Sequence, residues 1–123
     1  MDIIIDVQFC KDIKDHLIPK EVAIASVRDN FVAHWIVAPP YPVQKLNEVS
    51  RQQNNWLYRN KHGIAWQDGD ISQAKLTKNL QTILLNAEKI YVRGKDKAVF
   101  LQDLTMSDII IARTTRIAPH SII

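Results

Sequence analysis

The sequence predicts an α/β domain: a mixed sheet that opens with a three-stranded antiparallel meander and continues α-α-β-α-β, with helices packed on the sheet. Three observations carry this reading. Residues 1–37 run apolar and β-branched or alternate with polar positions, broken by turn-forming residues, as strands do. From Val43 onward apolar positions recur at helical spacing. Beyond Lys89 two short apolar segments flank a helical one, and paired strands followed by such strand-helix-strand units make a mixed sheet.

The first element is Ile3 to Phe9, apolar at its start and alternating later, so that Asp6 lies on a central strand. Lys11 to His16 is polar, and Pro19 is expected to close that loop before a second strand, Glu21 to Val27. Asp29-Asn30 is a hairpin-type turn signal. Phe31 to Val37 is the third strand, stopped by Pro39, Pro40 and Pro42 because proline lacks the ladder N–H. Val43, Leu46, Val49, Trp56 and Leu57 then form the expected apolar stripe of a first helix, weakened by Gln52-Gln53-Asn54-Asn55. Gly63 stands where a helix C-terminal glycine would, which makes His62 a cation near the helix dipole. Gln67 to Asp70 is a turn, and Asp70 or Ser72 caps a second helix whose stripe is Leu76, Leu80, Ile83, Leu84 and Ala87. Lys89 to Arg93 reads as a strand and Gly94 as a turn. Asp96 to Leu104 reads as a helix with Val99, Phe100 and Leu104 on one side, and Asp108 to Ala112 as the last strand.

Composition narrows the function classes. The 123 residues, 46% hydrophobic and 24% charged, match one domain with a single core. One cysteine allows neither an internal disulfide nor a Cys-based zinc site, and it fits an intracellular compartment. The longest apolar runs are far short of the roughly 20 residues that span a bilayer, so no membrane partner is expected. The net charge of +3 hides an asymmetry. Residues 1–40 hold four basic and six acidic side chains, whereas residues 41–123 hold twelve and seven. The cluster Lys89, Arg93, Lys95 and Lys97, with only Asp96 among it, is either a solvated basic face or a phosphate-binding surface for RNA or DNA. Trp66 and Tyr91 are either core residues or base-stacking platforms. The segment Ala38 to Pro42 ends a strand or presents a polyproline ligand to a protein partner. Three glycines are too few for a Rossmann or P-loop pattern.

The element order and a strand-borne Asp6 resemble the RNase H-like fold, and in detail the DEDD family of 3′-to-5′ exonucleases, over about residues 1 to 112. Asp6-Val7-Gln8 matches the Asp-x-Glu of that family's first strand, Ala38-Pro39-Pro40-Tyr41-Pro42 its Pro-containing segment, and His62-Gly63-Ile64 a short helical phrase. Gly94 to Leu101 matches the stretch after the fourth strand that carries a further Asp. The Asp-Val-Gln strand and the Lys-containing phrase are also similar to those of small arthropod or arthropod-virus proteins.

The resemblance implies about four carboxylates holding two Mg²⁺ or Mn²⁺ ions some 3.5–4 Å apart. This chain departs from that set. Gln8 replaces the second acid, and an amide oxygen binds a hard dication more weakly. The third position falls on Lys97, or on Asp96 if the register slips by one. The fourth acid belongs to a helix after the last strand, for which the sequence has only Arg113 to Ile123, with His120 and no Asp or Glu after Asp108. The resemblance therefore implies an RNase H-like domain, truncated before its last helix, that has lost most of its metal ligands. Such a domain needs no cofactor and works by nucleic-acid binding or protein interaction. The alternatives are a metal-dependent exonuclease built on Asp6, Asp96 and Asp108 with Mg²⁺ or Mn²⁺, Asp6 being the metal ligand, and a purely structural partner-binding domain. Without its partner acids, Asp6 is otherwise a strand carboxylate paired with a lysine or bonded to backbone N–H groups.

Overall fold

A computed structural model describes residues 1–112. Five strands, β1 (Asp2–Lys11), β2 (Leu17–Ser26), β3 (Val32–Ile36), β4 (Lys89–Arg93) and β5 (Asp108–Ala112), form one mixed sheet in the order β3-β2-β1-β4-β5. The meander β1-β2-β3 is antiparallel, whereas β4 lies parallel to β1 and β5 parallel to β4. Three α-helices complete it: α1 (Glu48–Leu57), α2 (Gln73–Leu84) and α3 (Lys95–Gln102), with a 3₁₀ turn over Val43–Lys45 and a π-helical segment over Tyr58–His62. The expected α/β class and element order match this architecture. The last-helix question, with Arg113 to Ile123 and His120, lies outside the described residues.

The main core lies on one face of the sheet. Ile3, Ile5 and Val7 alternate inward on β1 and meet Val22 and Ile24 of β2 and Ile90 and Val92 of β4. Leu76, Leu80 and Leu84, one helical turn apart, bring α2 onto that surface. Ser72 caps α2 by accepting the Lys75 N–H at 3.1 Å. Leu101 is the fully buried anchor of α3, with Ala98, Phe100 and Leu104 beside it. Val99, expected to share that side, is about half exposed instead.

Two sequence expectations are corrected at the sheet's end. β2 begins at Leu17, so Pro19 lies inside the strand instead of closing a loop. It is tolerated there because β3 pairs only with Glu21 to Ala25, leaving the Pro19 stretch with a single neighbour, β1. The register shifts at this point: Gln8 faces Glu21 and Phe9 faces Pro19, so Lys20 is the extra residue of a β-bulge. The second correction concerns α1, which starts only at Glu48: of the expected stripe Val43 and Leu46 precede it and pack in a small second core, Leu57 is half-buried, and Val49 and Trp56 are more than half exposed. Its buried residues are Ser50 and Asn54. Asn54 accepts the Lys11 N–H and donates to the Lys11 carbonyl, both at 2.8 Å, as a neighbouring strand would. The amide run that weakens the stripe in sequence thus supplies the docking residue.

His62 has a different role from the expected helix-end cation. Its Nδ1 accepts the Ile64 N–H at 3.0 Å, so the ring hydrogen is on Nε2, which donates to the Phe9 carbonyl at 3.0 Å. Gly63 does close the helical stretch as expected, at φ 66°, where its N–H reaches the Tyr58 carbonyl.

Cys10, Leu46 and Trp66 form a second small core with Ile18, Tyr41 and Val43 against them. Burial pushes the Cys10 thiol from its ordinary 9.0 up to about 11, with the nearby Lys20 ammonium pulling the other way. The unfolded chain therefore releases this proton first, and folding stability should fall as pH rises from 9 to 11. The loss is on the order of 2 kcal/mol. Urea denaturation across that range should show a shallower alkaline decline for Cys10→Ala than for the wild-type protein. Lys20, whose pKa burial lowers, contributes a rise with pH in the same region, so the difference between the two proteins is the informative quantity.

Candidate functional site

Strand alternation that turns Ile3, Ile5 and Val7 inward turns Ile4, Asp6 and Gln8 to the opposite face. Neighbours across the ladders share that face, so the register writes it out in rows. One row is apolar across all five strands: Val32, Ala25, Ile4, Tyr91 and Ile110. Val32 is 75% exposed and Ile4 51%, so this face is open. Next to it run His34, Ala23 and Asp6, with Arg93 and Ala112 at the corresponding ends of β4 and β5.

Of these residues Ile4, Asp6, Tyr91, Arg93 and Ala112 line a groove of about 790 Å³, bordered also by Gln8, Val27 and Lys97. α3 begins directly after β4 and carries Lys97 back over β1. Its ammonium lies 2.5 Å from Asp6 Oδ1, and the lysine side chain is largely covered while the carboxylate is more than half exposed. The same Oδ1 accepts the Val7 N–H at 3.1 Å. Asp6 therefore has both partners of its non-catalytic alternative, a lysine and a backbone N–H. With its carboxylate more than half exposed, the pair contributes roughly 0.2–1 kcal/mol, so Asp6 can be changed without unfolding the domain.

The remaining sequence candidates are divided between two ends of the sheet. Asp108 pairs with Lys89, and Lys89 with Asp2, forming an acid-base-acid row where the parallel strands begin. Asp6 lies four residues further along β1, about 13 Å away along the strand direction, so Asp6 and Asp108 do not share a ligand. Asp96 is exposed in the first turn of α3, where its Oδ1 accepts the Lys97 N–H at 3.0 Å. Lys97, not Asp96, is the residue opposite Asp6. Among the described residues no three His, Cys, Asp or Glu side chains are grouped to hold a metal ion. A lone carboxylate, an amide and an ammonium do not fit a pair of divalent cations, because the ammonium repels what the carboxylate attracts.

The basic cluster divides in the same way. Lys89 is at the far end of β4, and Lys97 is engaged by Asp6. Arg93, which lines the groove, and Lys95, two residues further on at the start of α3, remain as exposed cations in no ion pair among the described residues. Trp66 is a core residue, its Nε1 donating to the Tyr41 carbonyl at 2.9 Å, whereas Tyr91 is half-buried on the open face. No helix of the described residues is long and apolar enough to cross a membrane. Comparison with protein-family models, curated proteins and solved structures finds no match.

Proposed function

We propose that the chain is a non-catalytic RNase H-like domain that binds nucleic acid along the open groove. The observation that carries this reading is the Asp6–Lys97 ion pair: the acid that would begin a metal site is neutralised by a cation from the chain itself. Three antiparallel strands followed by two parallel ones, in the order β3-β2-β1-β4-β5, support the fold half of the proposal. The groove supports the binding half. Arg93 in its lining and Lys95 two residues beyond it suit phosphates, Tyr91 suits a base, and no step of hydrolysis is needed.

A labelled single-stranded oligonucleotide, followed by anisotropy between about 50 and 200 mM salt, should bind with a linear fall of log K against log salt. Arg93→Ala and Lys95→Ala should each reduce the slope by about 0.7, one phosphate contact apiece. The oligonucleotide should stay intact with Mg²⁺ or Mn²⁺. Salt-independent binding, or none, would defeat the nucleic-acid reading. Degradation that needs Mn²⁺ and disappears in Asp6→Asn would replace it with the exonuclease. A second reading, a protein partner laid across the face, is favoured by the five-strand apolar row. It predicts that Ile4→Asp abolishes capture of that partner but leaves the salt slope unchanged.

A further inference from the structure

The outward side of α1 and the π-helical segment is used by neither the core nor the groove. Over residues 43–62 the chain carries Lys45, Arg51, Arg59 and Lys61 against the single carboxylate of Glu48. None of these five side chains is in an ion pair among the described residues. Trp56 projects from the middle of this stretch, 54% exposed, with the Lys61 ammonium 5.9 Å from its ring centroid. Gln52 lies one turn before it and Arg59 one turn after, both exposed. Ser50 and Asn54 are the buried residues of the helix, and Asn54 holds the end of β1. The tryptophan is thus presented on a docked, rigid element and contributes little to the core.

We propose that this face is a second binding surface, for single-stranded nucleic acid, on which Trp56 stacks against a base while Arg59 and Lys61 contact the flanking phosphates. An exposed indole with cations on one side and amides along the same helix matches the chemistry of a strand with unstacked bases. A lipid surface is less well matched: amides interrupt the helix between Val49 and Trp56, so it has no continuous apolar face to insert. The inference does not depend on the groove. It places stacking on α1, whereas the groove reading depends on β4 and α3.

The experiment is a titration of tryptophan emission with an oligothymidylate, using the intact chain. Trp66 is buried and Trp35 half-buried, so quenching reports chiefly on Trp56. Binding should quench the wild-type emission, and Trp56→Leu should weaken affinity about tenfold or more. Arg59→Ala and Lys61→Ala should each lower the salt slope by about 0.7. Heparin, a polyanion without bases, should bind more weakly and leave the emission unchanged. Equal affinity for heparin and oligothymidylate, unaltered by Trp56→Leu, would overturn the proposal. So would tighter binding to phosphatidylserine vesicles than to the oligonucleotide. Binding that is lost only in the Arg93→Ala/Lys95→Ala variant, with Trp56 emission unmoved, would overturn it while leaving the groove reading standing.

Discussion

Lys20→Met is expected to remove on the order of 3 kcal/mol or more of folding stability, a large part of what a domain of this size has. The Lys20 side chain is completely buried. Its ammonium donates to the carbonyls of Val37 and Trp66, each at 2.7 Å, and to that of Asp68. An ammonium has three N–H donors, and here all three are used by backbone oxygens. Methionine keeps the length and the apolar stem but leaves three buried carbonyls without a donor, each costing on the order of 1–3 kcal/mol when water cannot reach it. Burial alone drives the lysine pKa down, as expected for a charge removed from water, while the Cys10 and Asp68 charges pull it up. Urea denaturation at neutral pH checks the prediction. A loss below about 1 kcal/mol would mean that water enters and satisfies the three carbonyls, and that the lysine is not the staple described here.

This residue also shows where sequence reasoning stops. The element order is legible because periodicity and turn residues report on local structure: the Leu76, Leu80 and Leu84 spacing and the Asp108 to Ala112 strand both appear as expected. Asp6 is legible as a residue of a central strand, and the alternation seen in β1 puts it on the face away from the core. Lys20 is not, since it falls between the proline expected to close a loop and the strand expected from Glu21, where a lysine reads as exposed. Its burial depends on a bulge and on carbonyls from the end of β3 and the turn before α2, none of them close in sequence. α1 fails for a related reason. Apolar spacing identifies the helix, but the helix docks through Asn54 onto the Lys11 backbone, a polar contact for which helical hydrophobicity has no signal. At the candidate site the sequence identifies Lys97 as incompatible with metal binding. Only the fold reveals that Lys97 pairs with Asp6, and that Lys89 and Asp108 lie at the other end of the sheet.

Gly69→Ala is the second large effect, expected to cost about 3–5 kcal/mol despite the residue's exposed position. Gly69 has φ 120°, a conformation side-chain-bearing residues rarely adopt, and a Cβ there would lie 2.2 Å from the Val37 carbonyl carbon and 2.5 Å from the Ala38 nitrogen. Both are backbone atoms at the end of the sheet and cannot rotate away, so the turn itself must lift. Lifting it breaks the Ala38 N–H bond to the Ile71 carbonyl at 2.7 Å and the Asp70 N–H bond to the Ile36 carbonyl at 3.1 Å. It also withdraws the Asp68 carbonyl from Lys20. The two substitutions therefore damage one unit, and the Lys20→Met/Gly69→Ala double variant should lose clearly less than the sum of the single losses. Strict additivity in the double-mutant cycle would mean that the turn does not move when Gly69 is replaced. With coupling, the release should stay local to the end of β3 and the start of α2. The Asp6–Lys97 pair and the Trp56 face are built on β1, α3 and α1, so the oligonucleotide binding proposed for the groove and for α1 should be the same in wild-type protein and in any Gly69→Ala protein that remains folded.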